Sequence, residues 1–224
     1  MAAWVFLALA FTPEAPEPAT TLTVVWHDSE KLFPTIALDR LAAEMEGLFR
    51  ENRLSVRFHP AAEGEDLRKV PEPRVNVIVL PREERRFGLP SNAMAAAFGE
   101  KGERYGIFVS FPGVRRTLGH GERETSPRHL AELARALARI VAHEVVHVLA
   151  PENGHADSGL MSGKLTREEL LADDIDFDGP SLARATAAMN QWGCETRSSK
   201  FPIPAEPLRS IFPPEVQPSC PSAR

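Results

Sequence analysis

A chain of 224 residues that is 43% hydrophobic and 25% charged is long and apolar enough for one domain with a buried core, which excludes wholesale disorder. Its net charge of −5 excludes a dedicated nucleic-acid binder, because such a protein carries a basic face. No apolar run reaches the roughly 20 residues a membrane-spanning helix needs.

The first eleven residues are apolar and include Ala8, Leu9 and Ala10, a small-residue pattern like a signal-peptide cleavage site, with no basic residue before Lys31. Export to the periplasm or the cell exterior is the expectation. Pro13, Pro16 and Pro18 follow, and seven prolines fall between Pro202 and Pro221. Residues 1–19 therefore read as a Pro-rich lead, 20–192 as the folded domain and 193–224 as a Pro-rich tail. Cys194 and Cys220 could pair in an oxidising compartment and pin that tail to the body.

Thr21–Trp26 is β-branched and aromatic, a strand. Leu38, Leu41, Met45 and Leu48 recur at helical spacing, which predicts an amphipathic helix over 36–52. Leu54, Val56 and Phe58 alternate with polar residues, and Val75–Leu80 is a continuous apolar run for a strand buried on both faces. Ala93–Phe98 and Tyr105–Phe111 flank Gly99 and Gly102 as a hairpin. The basic clusters Arg82, Arg85, Arg86 and Arg115, Arg116 read as solvated surface. Ser126 and Pro127 then cap a long helix that runs to Leu149 and stops at Pro151 and Gly154. This order gives a mixed sheet with one crossover helix and one long helix behind it.

The long helix carries His143, Glu144 and His147. Histidines at i and i+4 share one face, so both imidazoles can reach one metal ion, and Glu144 beside the first can reach a water there without ligating. Zinc lowers the pKa of such a water toward neutrality, and a carboxylate can take its proton as it attacks a carbonyl. A catalytic zinc takes three protein ligands and keeps one open position. His155 follows a turn able to bring it back under the helix, and Met161 comes six residues later. Asp157 is an alternative third ligand, and Glu169 another, on a second helix. Against Glu169, the stretch Thr166 to Glu169 reads as a capping box.

With His143, Glu144, His147, then His155, Gly159, Leu160 and Met161, the chain resembles the metzincin clan of zinc endopeptidases, closest to the matrixin type. The resemblance implies Zn2+ on His143, His147 and His155, Glu144 as general base and Met161 as the Met-turn beneath the metal. It implies an α+β, zincin-like fold: a mixed, mostly parallel five-stranded sheet with an antiparallel edge strand, a crossover helix, a long active-site helix and a short C-terminal subdomain. The sheet subdomain would cover 20–150 and the C-terminal one 151–192. An edge strand would line the cleft and pair with an extended peptide or protein substrate, with Ala95 and Ala97 as the candidates. A monomer is expected.

The pattern departs from the clan in two ways. Ala150 and Asn153 stand where its Gly and third His usually fall, so the chain must leave the helix differently, with Asn153 and Gly154 expected in left-handed conformations. No Tyr follows Met161, and Tyr105 is the only one, so an oxyanion donor must come from elsewhere. These departures leave open a zinc-binding interaction protein without turnover. Asp174, Asp176 and Asp178 match half of a Ca2+ loop, but Pro180 and Ala185 break its second half, so an acidic turn before a helix over Ser181–Trp192 is the simpler reading. His27, His59, His120 and His129 lack partner spacing, and Met45, Met94 and Met189 read as packing residues.

Overall fold

The computed structural model describes residues 20–71, 73–82, 93–98, 106–121 and 125–198. The expectations for the lead, for Arg85 and Arg86, for the Gly99–Gly102 turn, for Tyr105 and for Cys220, and with it any pairing to Cys194, lie outside them.

Five strands form one sheet in the order β2-β1-β3-β5-β4: β1 (Thr21–His27), β2 (Ser55–Pro60), β3 (Arg74–Leu80), β4 (Ala95–Phe98) and β5 (Gly106–Ser110). β1 pairs in parallel with both β2 and β3, and β3 with β5; β4 alone runs antiparallel, on the edge beside β5. Helix α1 (Leu38–Glu51), entered through a 3-10 turn at Thr35–Ala37, makes the crossover from β1 to β2. The mixed sheet is the architecture expected from the strand pattern, and its antiparallel edge the one the resemblance implied.

Period-2 alternation assigns the two faces. Leu22, Val24 and Trp26, Val75, Val77 and Val79, and Ile107 and Val109 point to the helical side, where they pack with Leu41, Met45, Leu48 and Phe49 of α1. Burying a large apolar side chain of this kind is worth about 1.5–3 kcal/mol. On the opposite face Ile78, Leu80 and Phe108 form a second cluster with Ala93, Ala96 and Phe98. Phe98 stacks on Phe108 at 4.1 Å between centroids and lies over Gly106, where a Cβ would sit 2.6 Å from its ring. That close approach explains the glycine and locks the register of β4 on β5.

The element that sequence reading missed is α2 (Phe111–Leu118). The strand expected to run through Phe111 ends at Ser110, whose Oγ accepts the Gly113 N–H as an N-cap at 3.1 Å. Pro112 and Gly113 look like a turn in sequence, yet Pro suits the first turn of a helix, and Gly119 closes this one at φ 70°.

Helix α3 (Pro127–Leu149) begins at the Ser126 cap as expected. From Ala136 to Leu149 every residue is buried, because the helix packs against α1, α2, β4 and β5 and also against α4 (Arg167–Leu171) and α5 (Gly179–Ser198). Arg139 is buried with them; its guanidinium donates to the Glu169 carbonyl at 3.0 Å and pairs with Glu44 of α1 at 3.4 Å. α4 opens with the expected capping box of Thr166 and Glu169. α5 carries Pro180 in its first turn and continues past Trp192 to Ser198.

Candidate metal centre

Three turns of α3 from its end to its buried middle decide where the histidines sit. His143 and His147 lie one turn apart on the same face, with Nε2 atoms 3.0 Å apart. His155 returns from the loop after the helix, and one ligand atom from each of the three histidines lies within 4.8 Å of the others. The three rings are mutually near: 4.7 Å between centroids for His143 and His147, 5.3 Å for His143 and His155, and 5.0 Å for His147 and His155. Tetrahedral zinc with metal–nitrogen bonds of about 2.0–2.1 Å separates its nitrogens by roughly 3.3 Å, close to the His143–His147 spacing. His143 and His147 are buried and His155 is exposed, so solvent reaches the group on the His155 side.

His143 fits a metal ligand in protonation as well as spacing. The Nδ1–H of His143 donates to the Leu160 carbonyl at 2.7 Å, which selects the tautomer whose Nε2 faces the cluster. Burial holds the His143 imidazole below its ordinary pKa, the Leu160 hydrogen bond opposes that shift and His155 adds to it. The neutral ring is the ligating form.

The chain leaves α3 by a route the sequence did not disclose. Ala150 caps the helix in a non-helical conformation at φ −129° and ψ 79°, and neither Asn153 nor Gly154 takes the left-handed conformation expected of them. Asn153 instead turns inward, donating to Ser181 Oγ at 2.8 Å and accepting from Arg184 Nε at 2.7 Å. The position where the clan's third histidine usually falls is thus a tether to α5, and His155, two residues on, reaches the cluster.

The left-handed turn comes later, at Gly159 with φ 77°, where a Cβ would meet the Asp176 carbonyl at 2.8 Å. That approach lets Leu160 N–H donate to the same carbonyl at 2.8 Å, while Ala156 N–H donates to the Met161 carbonyl at 2.8 Å. The segment is therefore pinned on both sides, with Leu160 presenting its carbonyl to His143. Met161 is fully buried in the main core. Gly163 abuts His155, since a Cβ there would lie 3.0 Å from the ring. Gly163 was not singled out by the sequence reading, and Leu160, Asn153 and Asp176 were named there for a motif, a turn and a Ca2+ half-loop rather than for these contacts.

The remaining candidates separate. Glu144 is buried to 9% exposure, and its Oε2 accepts the backbone N–H of Ala97 in β4 at 2.8 Å. Glu169 is held in the capping box by the Thr166 N–H at 2.7 Å, and Asp157 is exposed; neither joins the histidines. Asp176 accepts from Asn52 and from the Phe177 N–H, and Asp178 caps α5 by accepting from Ser181 N–H at 2.9 Å. Among the described residues the three histidines are the group of metal-ligating side chains that converges. His120 and His129 touch each other at 4.8 Å, and His120 bonds Glu132 at 3.1 Å.

No family model matches the sequence, and no curated protein does. Among solved structures the chain is similar to a zinc-dependent peptidase from Methanocorpusculum labreanum, with 15% identity, a TM-score of 0.49, and coverage of 73% of this chain and 99% of that one. It is also similar to an archaemetzincin from Methanopyrus kandleri, with 13% identity, a TM-score of 0.47, and coverage of 79% and 99%. None of the described helices is long and apolar enough to cross a membrane.

Proposed function

We propose that this protein is a zinc-dependent peptidase of metzincin-like build that cleaves peptide bonds within extended chains. One observation carries the reading: His143, His147 and His155 converge, and Glu144, next to His143 on the same helix, has its carboxylate held against the edge strand. Zinc held there would supply a Lewis acid that polarises the peptide carbonyl and acidifies the attacking water. His143 and His147, fixed by the helix, and His155, fixed by the Gly159–Gly163 segment, would hold the ion by neutral imidazole nitrogens. Glu144 would receive the proton of the attacking water on its carboxylate and pass it to the leaving amine nitrogen. Met161 would close the floor beneath the histidines. The edge strand would align an extended peptide through Ala95 and Ala97, and alignment along a strand edge rather than at a chain terminus is what favours internal cleavage. Export of the protein belongs to the same proposal, checked by N-terminal sequencing of the mature chain.

The decisive experiment pairs metal analysis of the purified protein with cleavage of a peptide library by wild type and Glu144→Gln. The expected result is about one zinc per chain in both, hydrolysis by wild type, and none by the variant. Equal turnover by both rejects Glu144 as the base. Zinc binding with no cleavage by wild type favours the non-catalytic interaction protein instead, and absence of zinc rejects both readings.

A further inference from the structure

The most informative contact outside the histidines joins the acid to the sheet. β4 and β5 pair Ala95 with Val109, Ala96 with Phe108, Ala97 with Ile107 and Phe98 with Gly106. The Ser110 N–H donates to the Met94 carbonyl at 2.8 Å, which makes that opposed pair a hydrogen-bonded one. Hydrogen-bonded and non-bonded pairs alternate along an antiparallel ladder, so Ala96 and Phe98 bond to β5 while Ala95 and Ala97 turn their N–H and C=O groups away from it. Ala97 thus has an amide that the ladder does not use, and Glu144 Oε2 accepts it at 2.8 Å. The side chains make this approach feasible. Ala95 and Ala97 lie on the helical face of the sheet against the main core, where small residues let α3 come close to the strand backbone.

We infer that the backbone amide of Ala97 is the positioning group for Glu144, fixing one carboxylate oxygen on the edge strand so that the orientation of the base is set by the sheet and not by its own rotamer freedom. A buried carboxylate on a helix has torsions near its end that its own backbone does not fix. A charge-assisted hydrogen bond from a rigid strand removes most of them before substrate arrives. The inference has a structural corollary. Along the outward side of β4 the amide of Ala97 is taken, so the groups that the ladder leaves for an incoming strand are the N–H and C=O of Ala95 and the C=O of Ala97.

The inference deepens the peptidase reading and rests on it only for its kinetic arm. Its first test is hydrogen exchange at the Ala97 amide in the full-length, metal-free protein. An outward edge amide with no partner exchanges fast, whereas one held by Glu144 is protected. Glu144→Ala should speed exchange at Ala97 by about 10- to 100-fold, the loss of one charge-assisted bond, while amides inside the β4–β5 ladder change little. Glu144→Gln keeps an acceptor oxygen and should retain part of that protection. Equal exchange at Ala97 in wild type and Glu144→Ala overturns the proposal.

The second test is Ala97→Pro, which removes this N–H without removing a ladder donor, because proline is tolerated on the outer side of an edge strand. With zinc content unchanged, kcat should fall by about 10- to 100-fold, the scale of a misplaced catalytic group, with KM changed less than about threefold. A rise in KM alone overturns the positioning role and marks the amide as a substrate contact. Should Ala97→Pro fail to fold, the exchange measurement still decides. A protected Ala97 amide in a protein that binds no zinc and cleaves nothing sinks the peptidase reading while leaving the contact itself standing.

Discussion

Gly159→Ala separates two effects that single substitutions usually mix. Gly159 has φ 77° and faces the Asp176 carbonyl, which a Cβ would approach to 2.8 Å. An L-residue in this conformation costs about 1–2 kcal/mol. Relieving the clash must move backbone, and the nearest hydrogen bond, Leu160 N–H to Asp176 O, is worth about 0.5–1.5 kcal/mol. The smaller conformational freedom of the unfolded alanine chain returns about 0.4–1 kcal/mol. A net loss of about 0.5–3 kcal/mol follows. Two glycines serve as controls. Gly119 shares the positive φ with nothing within 4 Å of its Cβ, so Gly119→Ala should show the strain alone. Gly154 has neither feature, so Gly154→Ala should be neutral or slightly stabilising. Urea unfolding of the metal-free proteins measures all three. Because Leu160 is also the carbonyl that orients His143, only Gly159→Ala should weaken zinc, by about 10- to 100-fold in competition with a chelating dye. A Gly159→Ala protein as stable as Gly154→Ala, with unchanged zinc affinity, would refute the reasoning.

Gly163→Ala should act on the metal with little effect on stability, since its Cβ meets the His155 ring at 3.0 Å and the exposed ring can yield by a few tenths of an ångström; zinc affinity falling by less than about twofold would show that His155 needs no such support. The double variant Asn153→His with His155→Ala should not recover zinc, because position 153 faces Ser181 and Arg184 of α5; restored binding in metal analysis would place the loop differently. Glu132 gives a pH test. Arg128 first, then His120 and Arg167, hold its carboxyl at about 2, below an ordinary value of 4.5. The depressed folded-state pKa means its contribution is complete above about pH 4.5 and is lost as pH falls toward about 2. Wild type should therefore lose its stability advantage over Glu132→Gln across that interval in urea unfolding, and a constant gap between the two would contradict the assignment. Exposure of Arg128 and solvent around the cluster keep the effect modest.

The parts of this molecule that could be read from sequence are those fixed by local chemistry. The start of α3 follows from Ser126 and Pro127, and the shared face of His143 and His147 from helical spacing alone. The antiparallel pairing of the last two strands followed from the hairpin read around Gly99 and Gly102, and its place at the sheet edge from the family resemblance. What stayed hidden depends on partners distant in the chain. Asn153 is an ordinary turn residue until α5 brings Ser181 and Arg184 to it, and Leu160 matters through its carbonyl, which carries no sequence identity. α2 was missed for a different reason. Pro112 and Gly113 are ambiguous between a turn and a first helical turn, and the packing of Phe111, Val114 and Leu118 into the core decides between them.

At the other border of the sheet, Glu46 of α1 accepts the Phe58 N–H of β2 at 2.9 Å. Each margin of the sheet is therefore met by an acid reaching down from a helix, Glu46 on one side and Glu144 on the other. Unsatisfied strand margins are where folded chains stick to copies of themselves. The two glutamates thus share a task in solubility, although only one stands beside the histidines. For that reason a change at Glu144 need not be confined to the histidine site: Glu144→Ala uncovers a strand margin that Glu144→Gln still meets with an oxygen, and a concentrated stock of the alanine protein is the one expected to self-associate.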